Sequence, residues 1–158
     1  MGRKSIKKNK NIYQEMREAQ GLTREKASEL LEFISEDRLE KIENNKCEVR
    51  PEEILKMSKV YKRADLNNYY CSKICAIGKK YIPNAQTKDL SQITLEILST
   101  LNSLEKQKNR LIEITVDGKI ADDEKADFET IKKQLEDMSK TISELKIWID
   151  SELNKKES

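Results

Sequence analysis

Between Asp123 and Leu153 the apolar residues Phe128, Ile131, Leu135, Met138, Ile142, Leu145 and Ile149 recur in unbroken alternating steps of three and four. Only an α-helix gives residues at that spacing a common face, and about three heptads of it make a coiled-coil-like seam. A less regular apolar series runs from Lys88 to about Thr115 through Leu90, Ile93, Ile97, Leu101, Leu104, Leu111 and Ile112. Between the two lies "VDGKIADDE". There Asp117-Gly118 supplies a left-handed stop for one helix, and Asp122 or Asp123 a cap for the next. The simplest fold for residues 87–155 is an antiparallel helical hairpin.

A two-helix hairpin has too little interior to be stable by itself. Its outer side must pack on the rest of the chain or on a second copy, and a dimer of two hairpins forms a four-helix bundle. The residues expected at that dimer seam are Ile131, Leu135, Met138, Ile142, Leu145, Trp148 and Ile149.

The composition agrees with long solvated helices. Of 158 residues, 38% are charged and 5% aromatic, with four glycines and two prolines to mark turns. No run of about 18 apolar residues is present, so no transmembrane helix is expected. The N-terminus lacks the apolar core of a secretory signal. An odd count of three cysteines then argues for a reducing cytoplasm rather than a disulfide framework. There is no histidine, which removes the commonest general base and the commonest zinc ligand together. With no glycine-rich phosphate loop and no histidine-based triad, neither catalysis nor a cofactor is expected.

Two metal readings can be weighed. Cys71 and Cys75 are four apart and would share a helix face, which is half of a tetrahedral zinc site. Packing of the connector is the simpler role for them. Asp117, Gly118, Ile120 and Glu124 fit positions 5, 6, 8 and 12 of a calcium loop, but Glu113 and Thr115 at positions 1 and 3 fit poorly. The segment reads better as the hairpin turn.

The first 70 residues have a different grain: short helices and tight connections. A helix over Lys10–Ala19, with Ile12, Met16 and Ala19 on one stripe, ends at Gly21. Thr23 caps Arg24–Leu31, which buries Ala27, Leu30 and Leu31. Ser35 caps a third helix running to Asn44, with Leu39 and Ile42 inward and Glu36, Asp37, Glu40 and Glu43 on its charged surface. Pro51 opens a fourth, whose apolar side holds Ile54, Leu55, Met57 and Val60. Leu66, Tyr69 and Tyr70 indicate a short fifth. The chain therefore reads as all-α, with four parts. These are a basic arm (1–9), a five-helix head (10–70), a connector "CSKICAIGKKYIPNAQ" (71–86) and the hairpin (87–155).

The segments "GLTREKASELL", "SEDRLEKIENNK" and "PEEILKMSKVY" together resemble the Cro/C1-type (XRE) helix-turn-helix family of bacterial and phage regulators. The resemblance is carried by Leu22-Thr23, by Arg24 where the family usually has Gln, by Ala27 or Ser28 at the small inter-helix contact, and by Leu39-x-x-Ile42-Glu43-Asn44. It covers about residues 10–70. The turn "LEFIS" is one residue longer than the family's, and Glu32 or Phe33 stands where the family has a bend glycine. A further resemblance, in "YYCSKICAIG" and "DGKIADDE", is to a bacterial subgroup with an appended helical region.

The family's third helix lies in the major groove with its first residues on base edges. By position, the resemblance assigns DNA contact to Ser35, Glu36, Asp37, Arg38 and Lys41, phosphate contact to Arg24, and backbone contact to Asn45 and Lys46. Family members commonly act as dimers, so the implied protein is a homodimeric transcriptional regulator whose partners are double-stranded DNA and itself. Arg and Lys donate to guanine, and carboxylates accept from the cytosine amine. The acids also repel phosphate, which supplies most non-specific affinity. Over residues 1–62 fifteen Lys/Arg stand against twelve Asp/Glu, a surplus of three. The alternative expectation is a head that keeps the recognition shape but offers its acidic third helix to a protein. The Lys/Arg-rich arm, with Arg3, Lys4, Lys7, Lys8 and Lys10, favours nucleic acid.

Overall fold

A computed structural model describes residues 9–116 and 121–156. Most of the basic arm, and the Asp117-Gly118 stop with Ile120, lie outside the described residues. The described chain is all-helical and divides into two units, one of residues 1–70 together with 151–158 and one of residues 71–150.

The first unit holds five helices: α1 (Ile12–Ala19), α2 (Arg24–Leu31), α3 (Glu36–Glu43), α4 (Pro51–Val60) and α5 (Asp65–Tyr69). Short polar side chains start them. Asn11, Thr23 and Ser35 each accept the backbone N–H three residues on. The Glu53 carboxylate reaches back to the Arg50 N–H at 2.8 Å, at the start of α4. Three helices stop in the same way, with a left-handed residue past the cap and paired backbone bonds to the last turn. Those residues are Gly21 after α1, Asn45 after α3 and Lys62 after α4. Helix α2 packs on α3 and α4, α1 on α3, and α4 on α5. Met16, Leu31, Ile34, Leu39, Ile42, Met57, Tyr61 and Leu66 fill the core between them.

Some expected core positions face out. The inward face of α2 runs through Arg24, Ala27, Ser28 and Leu31, which leaves Leu30 exposed. Helix α4 turns Glu53, Ile54, Met57 and Ser58 inward and Leu55 outward. On α1 the buried set is Tyr13, Gln14, Met16 and Arg17, with Ala19 exposed. On each helix one charged residue of the inner stripe, Arg24, Glu53 or Arg17, is satisfied by a partner on another helix.

The second unit opens with a π-helical turn, Tyr70–Ile74, whose residues from Cys71 onward belong to it, and a short α6 (Gly78–Tyr81). Gly78 is required there: a Cβ would stand 2.0 Å from the Cys71 carbonyl oxygen. An extended stretch leads to α7 (Leu90–Thr115), capped by Asp89, and α8 (Lys125–Lys156) follows. Arg110 on α7 donates to Asp127 at the start of α8 at 2.6 Å. At the other end Lys88, just ahead of α7, pairs with Glu144 at 2.8 Å. The two links, near opposite ends of α7, make the pair an antiparallel hairpin. Glu124, rather than Asp122 or Asp123, precedes α8, and its carboxylate accepts the Ala121 N–H.

The seam of α8 is not buried as a single row. Within the chain the inward row is Ile131, Gln134, Met138, Thr141, Leu145 and Trp148, itself in steps of three and four, with Glu144 and Ile147 buried beside it. It is turned from the all-apolar seam by roughly a seventh of a turn, since neighbouring helix positions are about 100° apart. Polar residues share that inward side. Glu144 is fully buried, held by Lys88 and by the Gln86 N–H, and Thr141, one turn before it, is buried with its hydroxyl on the Asp137 carbonyl. Leu135, Ile142 and Ile149 are left exposed.

Candidate nucleic-acid interface

Helix α3 is fixed in place by two ion-pair systems, one on each side. On the inner side Glu43 is fully buried. Arg17 grips it through the Nε–Nη2 edge of its guanidinium while Nη1 donates to the Leu22 carbonyl, and Arg24 donates to it at 2.8 Å. This corrects the expectation that Glu43 lies on the charged surface. Leu39 and Glu43 are one turn apart, so the stripe that buries one buries the other. For Arg17, burial is the largest influence and lowers the pKa, and the Glu43 hydrogen bond together with the charge of Glu43 and the weaker pull of Tyr61 and Glu18 outweighs it and raises it.

On the α4 side Arg38 forms a two-pronged pair with Glu53, at 2.8 and 2.9 Å, and donates to the Glu48 carbonyl. Burial pushes the Glu53 carboxyl up. The Arg38 guanidinium and the Arg50 N–H outweigh this and hold it below the usual carboxylate value. Asn11 completes the seating, donating to the Ile42 carbonyl and to the Asn45 side chain at the end of α3.

The face that remains free carries Glu36, Asp37, Glu40 and Lys41, all exposed, with Asn45 and Lys46 at the exit. Asp37 and Lys41 form an exposed pair at 2.7 Å, and that hydrogen bond raises the lysine's pKa. Ser35 is exposed but its hydroxyl is engaged by the Arg38 N–H. Arg24 and Arg38 are half-buried, so the two arginines of the expected site stand behind the face as much as on it. Three acids and two lysines on the free surface give it no positive surplus of its own. Negative charge at Glu36 and Asp37 suits the first turn of α3, where the helix dipole favours it.

The connection into α3 is unusual. Glu32 has φ 65 and ψ −63, and the Phe33 N–H bonds back to the Leu31 carbonyl in a γ-turn. Its side chain pairs with Lys56 on α4 at 2.8 Å. Phe33, next along, is exposed.

Sequence reasoning found the helix and its exposed residues but missed Arg17, Glu43, Asn11 and Glu53. Arg17, Glu43 and Glu53 were legible as polar residues on otherwise apolar stripes, and Asn11 as a cap ahead of α1. Elsewhere, Cys47, Cys71 and Cys75 are free thiols, and among the described residues no group of three His, Cys, Asp or Glu could hold a metal ion. No helix among the described residues is long and apolar enough to cross a membrane.

Compared with known families, residues 14–65 match the Helix-turn-helix family model, a span that takes in α1 through the start of α5. No curated protein and no solved structure matches the chain.

Proposed function

We propose that this chain, whose residues 14–65 are a Cro/C1-type DNA-binding helix-turn-helix domain, is a sequence-specific transcriptional repressor of bacterial or phage type acting in the cytoplasm as a homodimer. The observation that carries the reading is the seating of α3. A helix clamped on one side by Glu43 and on the other by Arg38 offers one rigid outer face, as insertion into a groove requires. Lys41 would donate to guanine, and Glu36 and Asp37 would accept from cytosine amines. Lys46, Arg24 and the basic arm would meet phosphates, with Ser35 and Asn45 flanking the backbone. Arg38 orients the helix and leaves one edge toward the groove. Occupying a promoter would block it sterically.

The test is fluorescence-polarisation binding of the full chain to its own upstream DNA and to scrambled DNA over a salt series. Tighter binding to the upstream sequence is expected, with a salt slope of several phosphates. Lys46→Ala should weaken both DNAs alike and flatten the slope by about one. Lys41→Ala should reduce the preference between them. A second reading rests on a specific observation: Phe33 and Leu30 are exposed near the acids of α3. Weak, sequence-blind binding at low salt for upstream and genomic fragments alike would favour that reading, a head that docks a basic protein.

A further inference from the structure

Helices α7 and α8 each leave an apolar row in solvent. On α7 it is Leu98, Leu101 and Ile112, with the exposed Glu105–Lys108 pair between the last two; on α8 it is Leu135, Ile142 and Ile149. Each row is turned in the same rotational sense from the row that faces the other helix, at about 100° per residue. In an antiparallel pair, rotations of the same sense lie on the same side. The two rows therefore lie on one side of the hairpin. A groove lined by Leu111, Phe128, Ile131 and Leu135 opens on it.

The charges beside the α8 row say what covers it. Outside the row, along the edge away from α7, stand Lys132, Glu136, Ser139, Ser143, Lys146 and Asp150 in steps of four, three, four, three and four. All but the half-exposed Ser143 are exposed. The series is self-complementary when reversed. Set against an antiparallel copy of itself about the level of residue 141, Lys132 faces Asp150, Glu136 faces Lys146, and Ser139 faces Ser143.

We infer that the occupant is a second copy of this chain, docked α8 against α8 in antiparallel fashion about a two-fold axis level with Thr141. This rests on the homodimer reading above and specifies its interface. In that register Ile142 meets its own copy beside the axis. Ile149 of the second copy comes level with the stretch between Ile131 and Leu135, at the groove. A parallel pairing has no such match. It would set the outer edge of one α8 against the inner edge of the other, and the inner edge is already packed on α7. The register also explains the rotation of α8. Met138 and Leu145, half-buried in the single chain, point between the two neighbours, α7 and the second α8, as in a four-helix bundle.

The experiment is sedimentation equilibrium of the full chain, with circular dichroism to show that each variant stays helical. Wild type should be dimeric. Ile142→Asp, at an exposed position, should leave a folded monomer. Glu136→Lys and Lys146→Glu each turn both facing pairs into like charges, and each should raise the dimer dissociation constant about tenfold. The double variant Glu136→Lys/Lys146→Glu restores opposite charges and should return it to within about threefold of wild type. A dimer that ignores all of these changes, or one broken by Ile142→Asp but with no rescue in the double variant, overturns the antiparallel interface and leaves the homodimer standing. A wild-type monomer at every concentration overturns the homodimer itself.

Discussion

Glu43 is the residue on which the head depends most. It has no access to water and answers two arginines, one of them as buried as itself. Glu43→Gln keeps the shape but leaves Arg17 with only the more distant Glu18, 3.7 Å away, as a counter-charge. Breaking one side of a buried pair costs about 3–5 kcal/mol, so urea unfolding should lose a large part of the stability. Glu40→Gln, one turn away and exposed, should shift it by no more than about 0.5 kcal/mol. A second prediction concerns Glu53. Its native pKa lies below the ordinary 4.5 because Arg38 and the Arg50 N–H outweigh its burial. The unfolded chain therefore takes up the proton first as pH falls. The stabilisation is complete above 4.5 and is lost as pH drops through the lower native value. Unfolding free energy measured downward from pH 4.5 should fall less steeply in Glu53→Gln than in wild type. Neither role follows from composition. Glu43 could be placed on the buried stripe by counting from Leu39, but its need for Arg17 depends on how α1 crosses α3.

At the scale of elements the sequence was an accurate guide to what exists and a poorer one to what faces inward. Asn, Thr, Ser and Pro at helix starts, and Gly21, Asn45 and Lys62 at their ends, act through local geometry, which is written locally. Which stripe is buried depends on partners distant in the chain, so Leu30 and Leu55 came out exposed while Arg17 and Glu53 went in. The turn into α3 is the most strained local feature. A glutamate at φ 65 costs about 1–3 kcal/mol against a relaxed backbone, and its exposed pair with Lys56 recovers little of that. Glycine meets no such penalty, although its greater freedom when unfolded costs about 0.5–1 kcal/mol. Glu32→Gly should therefore stabilise the head by about 1 kcal/mol in urea titrations. Because this turn sets the angle between α2 and α3, the same variant should change sequence preference on DNA. A gain in stability with unaltered binding would mean that the angle is fixed by Arg38 and Glu43 instead.

For the whole molecule, the heptad seam was legible as a helix with something to bury, but its division between two neighbours was not. Thr141 and Glu144 interrupt no apolar series in the sequence; only Lys88 and Gln86, more than fifty residues earlier, explain why Glu144 is inside. That division links the two halves of the function. A surface with few spare positive charges binds one half-site weakly, so two heads on one DNA are needed for useful affinity. Joining two sites gains about a hundredfold or more when both can engage together. A two-fold protein also calls for a pseudo-palindromic operator with half-sites about 34 Å, one helical turn, apart. Wild type should therefore prefer the full operator to a single half-site by at least about a hundredfold, and inserting five base pairs at its centre, which turns the half-sites to opposite faces, should remove that preference. Ile142→Asp, folded but monomeric, should bind full operator and half-site alike, at the half-site affinity of wild type. Equal binding of both DNAs by the wild-type dimer would mean that one head reads the operator alone and that the hairpin serves another purpose.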